Sequence, residues 1–328
     1  MASHPERVFA ARKMDSGDKL WNGGANAPVN SVYLAAPEEG GQDLCKGRNM
    51  LERLDFNGRT VVITGAASGI GEALADALAA RGANLVLADI NADRLDAVVD
   101  RLKSNERQVS GHVLDVADPD AIAAFAGEVE ARHGAVHALF NNAGVALGGT
   151  FDRVKPEDFE WLMDINFYGV VRMTRAFLPL MQKADTAQLV NISSIFGVIA
   201  PAGQTAYSAA KFAVRGFSNA LMHELEGSSV GVTTVHPGGV NTRIAEDAKK
   251  PEDMTEEELA AVKKMARESL VMPPPEAAEI ILRNVERRRP RVLVGKDAHT
   301  LAIFERLFPV RYWDFIKKRV ARREQAAS

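Results

Sequence analysis

The fold is decided by the stretch Thr60-Val61-Val62-Ile63-Thr64-Gly65-Ala66-Ala67-Ser68-Gly69-Ile70-Gly71. Its first part is apolar and β-branched, which is typical of a buried strand. The glycines that follow precede an alanine-rich helical pattern that runs to Arg81. Glycine at a strand-to-helix turn permits close approach of a ligand, and a helix N-terminus attracts a pyrophosphate. The stretch therefore predicts a phosphate-binding turn, although glycines with this Gly-x3-Gly-x-Gly spacing can also serve packing alone.

Strands and helices alternate along the rest of the chain, as βαβ units require. We expect strands near residues 60–64, 84–89, 109–114, 137–141, 187–193, 230–236 and 291–294. We expect helices near residues 69–81, 92–103, 118–132, 156–183, 205–226 and 275–288. A chain of 328 residues with 46% apolar composition can bury one large core. The pattern predicts an α/β fold in three αβα layers, a doubly wound parallel sheet in one domain with a C-terminal helical extension.

The second predicted strand ends in a carboxylate, Asp89, about 20 residues after the glycines. A carboxylate there can accept hydrogen bonds from an adenosine ribose and repels a 2′-phosphate. Ile90 follows where a basic residue would have favoured that phosphate, so the sequence favours NAD over NADP. The alternative for Asp89 is a helix cap or a loop carboxylate. Asp115, after the third strand, is a further candidate for the adenine edge.

Tyr207 and Lys211 indicate acid/base chemistry. On a helix their spacing places a phenol and an ammonium on one face, one turn apart. A free tyrosine has a pKa of about 10, and about 4 kcal/mol of preferential stabilisation of the phenolate would bring it near neutrality. Ser194 ends an apolar stretch upstream, and the loop that follows could return its hydroxyl to the phenol. Alone, the Tyr/Lys pair would be better explained as part of a solvated helix face, because this spacing occurs by chance on many helices.

Together these motifs resemble those of the short-chain dehydrogenases/reductases. The similarity covers roughly residues 55–295, and no motif residue is missing. The matching positions are 64–71, Asp115, 141–144, Asn166, 191–194, Tyr207, Lys211, Pro237 and Gly238. The resemblance implies a single-domain Rossmann-like fold and NAD(P)-linked oxidation of alcohols or reduction of carbonyls.

The resemblance also implies roles for individual residues. Tyr207 would be the general acid/base, Ser194 the partner of the substrate oxygen, and Lys211 the group that lowers the pKa of the phenol and binds the nicotinamide ribose. Asn166 matches an asparagine that holds a water in a proton relay to the lysine. For Asn142 and Asn166 the alternative is a buried amide that ties loop backbone together. The predicted cofactor-binding residues are Gly65, Ser68, Gly69, Ile70, Gly71, Asp89, Asp115, Val116, Asn142, Ala143, Gly144, Tyr207, Lys211, Pro237, Gly238, Val240 and Thr242.

We expect three parts in the chain. Residues 1–50 show scattered charges and no sustained periodicity, so we expect a disordered N-terminal extension, with Met50 as an alternative native start. Residues 51–297 are the predicted NAD(P)-binding catalytic domain, in which about 242–272 correspond to the family's variable lid over the substrate. Residues 298–328 are predicted to form a basic, aromatic helical tail.

Apolar residues in the predicted loops favour a hydrophobic substrate. They are Phe196, Val198 and Ile199 after Ser194, and Val145, Ala146 and Leu147 after the asparagine loop. Because these loops carry no surplus arginine, a small or medium secondary alcohol or ketone fits better than a sugar or a hydroxy acid. The lid helix carries an apolar stripe, which could close on such a ligand or simply pack on the core, formed by Leu259, Val262, Met265 and Ala266.

The tail mixes basic residues with Phe304, Leu307, Phe308, Val310, Tyr312, Trp313, Phe315 and Ile316. A helix of this kind can lie on an anionic membrane surface, or it can pack at a subunit interface or the substrate mouth. We expect packing, because Pro309 interrupts the helix, and peripheral membrane contact is the alternative. No apolar run is long enough to span a bilayer.

Charge and cysteine content argue against other classes. A formal net charge of −3 gives no basic balance for nucleic acid. The single cysteine, Cys45, excludes an internal disulfide and favours a reducing compartment. No cluster has metal-ligand spacing, and His223 and His236 are interpreted as packed or capping residues. We expect a cytoplasmic homodimer or homotetramer that binds neither metal nor nucleic acid.

Two functional classes remain in competition. The complete set of catalytic residues supports an NAD-dependent oxidoreductase that interconverts a secondary alcohol and a ketone by hydride transfer. A non-catalytic, regulatory dinucleotide-binding protein could use the same fold. Within the enzyme class the alternative is an NADP-dependent carbonyl reductase, against which Asp89 argues.

Overall fold

The computed structural model describes residues 53–103, 108–314 and 317. The strands within these residues form one parallel sheet. They are β1 Thr60–Thr64, β2 Asn84–Asp89, β3 Val109–Val113, β4 Ala138–Asn141, β5 Ala187–Ile192, β6 Val230–Pro237 and β7 Arg291–Val294. Their order in the sheet is β3-β2-β1-β4-β5-β6-β7. The order reverses between β1 and β4, and ligands of open α/β sheets bind at such a switch point.

Helices cover both faces of the sheet. They are α1 Gly69–Ala80, α2 Ala92–Leu102, α3 Pro119–His133, α4 Pro156–Met163, α5 Gly169–Gln182, α6 Thr205–Glu224, α7 Glu256–Ser269, α8 Pro274–Val285 and α9 Lys296–Leu307. One core cluster joins the sheet to α1, α2 and α8, and a second joins it to α3, α5 and α6. The predicted three-layer, doubly wound single domain is confirmed.

The strands are apolar because both faces of the sheet are covered. Every residue of β1 and β5 is buried, as expected for the interior of a parallel sheet. The register pairs Ile63 of β1 with Phe140 of β4, and Asn141 at the end of β4 with Asn191 of β5. The carboxyl ends of these strands therefore meet at one edge, where the predicted site residues follow them.

One helix differs from the prediction. The expected helix over 156–183 is divided by a π-helical turn, Asp164–Tyr168, between α4 and α5. Such turns are frequent at functional sites because the extra residue redirects side chains. Here the turn holds Asn166 completely buried.

The two chain ends are only partly described. Helix α9 begins at Lys296, slightly before the predicted start of the tail at residue 298. The predicted N-terminal extension, with Cys45 and Met50, lies outside the described residues. So do Phe315, Ile316 and the basic residues after Lys317.

Candidate active site

The glycine turn after β1 is packed so closely that side chains would not fit. Gly65 has a φ of +64°, and a Cβ there would lie 2.8 Å from the Cα of Ala143. A Cβ at Gly71 would lie 2.0 Å from the carbonyl oxygen of Gly65. At Gly69 a Cβ would meet the Cγ2 of Thr242 at 3.0 Å, so Thr242 lies directly over the turn. The structure brings these predicted cofactor residues together.

Thr64 and Asn142 connect the turn to the end of β4. The Thr64 hydroxyl accepts the backbone N–H groups of Asn142 and Ala143, each at 3.1 Å. The Asn142 side-chain amide donates to the carbonyls of Thr64 and Gly65, each at 3.0 Å. The amide of Asn142 therefore ties loop backbone together, which was the structural alternative for this residue.

Asp89 holds the turn from the side of β2. Its Oδ2 accepts the N–H of Ala67 at 2.9 Å, and its Oδ1 accepts the N–H of Asn91 at 2.9 Å. Each carboxylate oxygen has two lone pairs, so both retain capacity for a ribose hydroxyl. Ile90 beside it is exposed. Asp115 is exposed as well, and its Oδ1 accepts the N–H of Ala117 in its own loop.

A cavity of about 400 Å³ opens beside the N-terminus of α1. The residues Ala67, Ser68, Gly69 and Thr242 line it on the side of the turn, and Arg94 and Arg243 also reach it. Ser68 is the N-cap of α1, yet its side chain makes no capping hydrogen bond. The first N–H groups of a helix have no partner within the helix, so this end of α1 suits an anion.

The remaining predicted cofactor residues lie around these segments. Val116 is buried, and a Cβ at Gly169 would lie 2.9 Å from its Cγ2. Ile70 is partly buried against the core, and Val240 is buried next to the segment formed by Pro237 and Gly238. Their backbone therefore borders the site while their side chains serve mainly the packing.

Tyr207 and Ser194 meet at the carboxyl edge of β5. Tyr207 lies in the first turn of α6, and its phenol lies next to the Ser194 side chain. Burial is the main cause that raises the pKa of Tyr207 to about 12, and the neighbouring Ser194 side chain acts in the opposite direction. The Ser194 hydroxyl also accepts the N–H of Phe196 at 3.1 Å, and the ring of Phe196 lies edge-on to Tyr207 at 6.2 Å. The predicted Ser/Tyr pair is thus assembled.

Lys211 lies one turn further along α6 and is buried. Its Nζ donates to the Ile192 carbonyl at 3.1 Å and lies 5.6 Å from the centroid of the Tyr207 ring. Burial lowers the pKa of Lys211 to about 8. A Cβ at Gly144 would lie 3.5 Å from this Nζ, so the asparagine loop passes close to the ammonium. The ammonium faces the site that the glycine turn also borders.

Asn166 uses both ends of its amide on the asparagine loop. Its Oδ1 accepts the N–H of Val145 and its Nδ2 donates to the carbonyl of Val145, each at 2.8 Å. A Cβ at Gly144 would lie 3.2 Å from the same Oδ1. Asn166 therefore fixes the loop beside Lys211, and its predicted role in a water relay stays a prediction.

The predicted apolar pocket is smaller than expected. Val198 and Ile199 are buried in a cluster with Ala298 of α9, and Leu147 is buried among residues of α4 and α6. These side chains belong to the core because both loops fold back onto helices, a packing that an apolar run does not reveal. Phe196, Val145 and Ala146 remain partly exposed beside the site.

Comparisons with known proteins agree with this geometry. The family model described as short chain dehydrogenase matches residues 59–253. The chain belongs to the short-chain dehydrogenase family. It is 40% identical over 269 residues to SadH of Mycobacterium tuberculosis, which is named as an oxidoreductase, and the match covers 81% of this chain and 97% of that protein.

Solved structures of other short-chain dehydrogenases share the fold. A Burkholderia phymatum short-chain dehydrogenase/reductase in complex with NAD gives a TM-score of 0.72 at 31% identity, covering 77% of this chain and 94% of that one. A metagenomic short-chain oxidoreductase in complex with NADP gives a TM-score of 0.60 at 30% identity, covering 74% of this chain and 98% of that one. This chain is therefore an oxidoreductase of a family whose members bind either nicotinamide dinucleotide.

The residues of this short-chain dehydrogenase fit such a dinucleotide. The turn around Gly65 and Gly71 leaves no room for side chains. The Ser68 hydroxyl makes no capping hydrogen bond, and the Asp89 carboxylate can accept further hydrogen bonds. The cavity beside Gly69 continues to Arg94. A diphosphate with an attached ribose matches this set of donors and acceptors.

Several residues that support the site could not be found in the sequence. The His236 ring lies with Nδ1 at 3.0 Å from the Ser194 carbonyl. Asp297 of α9 accepts the N–H of Gly239 at 2.7 Å. Their partners are distant along the chain, so no local pattern signals these contacts. Only the folded structure of the short-chain dehydrogenase shows that His236 also contacts the backbone of Ser194.

The predicted lid region is attached by ion pairs. Arg153 binds Asp253 at 3.1 Å and Glu258 at 2.8 Å, and Lys249 binds Asp158 at 2.7 Å. Helix α7, the predicted lid helix, begins with a capping box and has no buried residue. The N-terminal end of α7 and the segment before it are thus held to the region around the start of α4. The apolar stripe of α7 is not packed on the core.

Proposed function

We propose that the protein is an NAD-dependent oxidoreductase that interconverts a secondary alcohol and a ketone on a small or medium apolar substrate. One observation carries the proposal. The Tyr207 phenol lies next to the Ser194 side chain, and the buried Lys211 ammonium lies one helical turn behind it. The glycine turn after β1 lies at the same edge of the sheet.

The chain's own groups handle the proton of the reaction. A bound nicotinamide would supply the hydride acceptor in oxidation and the donor in reduction. In oxidation, Tyr207 as phenolate takes the proton of the substrate hydroxyl, and Ser194 orients the substrate oxygen. In reduction, the Tyr207 phenol returns the proton to that oxygen. Because the pKa of Tyr207 is raised to about 12, chiefly by burial, nearby positive charge is needed to make the phenolate at neutral pH.

The apolar character of the substrate is inferred from the residues beside Ser194 and Tyr207. Phe196, Val145 and Ala146 are partly exposed there. An apolar wall rewards an alkyl or aryl substituent and offers no partner to the extra hydroxyls of a sugar or to a carboxylate. Secondary alcohols of increasing apolar size should therefore be oxidised better than sugars or hydroxy acids.

The preference for NAD rests on Asp89. A 2′-phosphate next to this carboxylate would meet like charge, whereas ribose hydroxyls would find acceptors. The second candidate is NADP, and Arg94 favours it, because this basic residue lines the cavity beside Ser68. Fluorescence titration with NADH and NADPH distinguishes the two. NADP would replace NAD as the proposed cofactor if the wild type bound NADPH more tightly than NADH. This preference should then be lost in Arg94→Ala and kept in Asp89→Asn.

The experiment that tests the function is an assay of NADH formation. Purified protein is supplied with NAD and a series of apolar secondary alcohols, with sugars and hydroxy acids as controls. We expect turnover with the apolar alcohols and a large loss in Ser194→Ala. Tight dinucleotide binding without turnover of any alcohol, or of any ketone in reverse, would favour the non-catalytic class.

A further inference from the structure

Helix α9 and the turn after it leave an apolar surface uncovered. Ile303 and Leu307 lie one turn apart on the outer side of α9 and are 59% and 64% exposed. Val310, in the turn after the helix, is 87% exposed. Large apolar side chains exposed next to each other are uncommon on a soluble protein and often mark an interaction site. We call Ile303, Leu307 and Val310 the outer stripe.

The orientation of this stripe is fixed by the opposite side of α9. Ala298 is buried, and Leu301 and Tyr312 pack on the cluster that contains Ile195 and Val198. The Tyr312 hydroxyl accepts the N–H of Ala200 at 3.0 Å. Because the inner side is anchored to the loop after Ser194, the outer stripe must point away from the core.

Basic residues flank the stripe, next to the acidic residues Glu305 and Asp314. Arg306 and Arg311 flank Leu307, and both are exposed. The pKa of the Arg291 guanidinium lies below its ordinary value, first because of partial burial and then because of Arg215 and Arg306, while the carboxylate of Glu305 acts in the opposite direction. The sequence adds further cations after the stripe, at Lys317, Lys318, Arg319, Arg322 and Arg323, although the chain as a whole has a formal net charge of −3.

We propose that the outer stripe and its flanking arginines bind the surface of an anionic membrane. Apolar side chains flanked by cations fit the boundary between acyl chains and acidic headgroups. No described helix is long and apolar enough to cross a bilayer, so the contact is with one leaflet. A second copy of the chain fits less well, since a symmetric contact through this surface would bring like charges together.

The contact would place the loop after Ser194 beside the bilayer. Tyr312 and Leu301 separate that loop from the outer stripe by one layer of side chains. Deleting the whole tail would also remove Tyr312, and with it the support of this loop. Point substitutions on the outer side therefore separate membrane binding from the integrity of the site.

The test is flotation of the full chain with vesicles at low salt. One set of vesicles contains phosphatidylcholine alone, and the other contains a fraction of phosphatidylglycerol. We expect binding to the anionic vesicles only. Arg306→Ser/Arg311→Ser should lower the partition coefficient about 30-fold, at about fivefold for each cation lost. Leu307→Ser/Val310→Ser should lower it about tenfold or more by loss of buried apolar area.

A matched control removes exposed apolar side chains elsewhere. Val113 and Phe151 are 64% and 70% exposed at other places on the surface, so Val113→Ser/Phe151→Ser should leave the partition unchanged. Circular dichroism confirms that each variant is folded. Equal binding to both kinds of vesicle, or no loss in either tail variant, would overturn the proposal. So would a change of subunit number by Leu307→Ser/Val310→Ser in sedimentation, with vesicle binding intact.

Discussion

Replacing Lys211 by methionine should move the pH dependence of alcohol oxidation. Lys211→Met keeps an apolar stem and removes the ammonium that lies 5.6 Å from the Tyr207 ring. At that distance and an effective dielectric constant of about 20, the lost attraction for a phenolate is about 3 kcal/mol, or roughly two pKa units. The rising limb of oxidation against pH, which reports formation of the phenolate, should therefore shift upward by about two units.

The difference in oxidation rate between the wild type and Lys211→Met should itself depend on pH. Burial lowers the pKa of Lys211 to about 8, so the ammonium is fully present below that pH and is lost above it. Wild type and variant should thus differ most below pH 8 and approach each other at higher pH. The assay measures initial rates at saturating dinucleotide and alcohol across pH.

Lys183→Met is the matched control, because Lys183 pairs with Glu130 on the surface, and its profile should equal that of the wild type. A rising limb that stays in place in Lys211→Met, with only a uniform drop in rate, would refute the electrostatic role of the lysine.

Three further predictions concern the turn, the support of the serine and the lid. Gly71→Ala places a Cβ 2.0 Å from the Gly65 carbonyl oxygen, so urea unfolding should show a loss of about 1–3 kcal/mol, and an equally stable variant would contradict the packing described. Burial is the main cause that lowers the pKa of His236 from 6.5 to about 4. The neutral imidazole therefore contributes fully to the free energy of unfolding above pH 6.5, and this contribution is lost as the pH falls towards 4. The wild type should lose about 3 kcal/mol over that interval and His236→Gln should not, and parallel pH profiles of unfolding would exclude this effect. Arg153→Gln should raise KM severalfold with little change in kcat, since it releases the base of the lid, and an unchanged KM would show that the lid does not depend on these ion pairs.

The sheet could be predicted because its information is local. Buried strands such as β1 and β5 are mostly apolar and rich in β-branched residues, and turn residues such as Gly65 and Gly71 mark where a strand gives way to a helix. The Tyr/Lys pair was equally visible, since a helix places Tyr207 and Lys211 on one face at this spacing.

Contacts between distant segments could not be predicted. The ring of His236 supports Ser194 from another strand, and Tyr312 holds the loop after Ser194 from beyond α9. Val198 was expected to line the pocket but is buried against α9, because an apolar residue in a loop gives no sign of which side it will face. The amide of Asn142 likewise serves the backbone of the glycine turn, which only the folded geometry shows.

Turnover by Tyr207→Phe tests the central claim most directly. The substitution keeps the ring and removes the hydroxyl that lies next to Ser194. Turnover of an alcohol that the wild type oxidises should fall by about 10²–10⁴-fold, as expected when a positioned acid/base group is lost. The affinity for NADH, measured by fluorescence titration in the same preparation, should stay close to that of the wild type. Near-normal turnover with unchanged NADH binding would contradict the assignment of Tyr207 as the group that exchanges the proton.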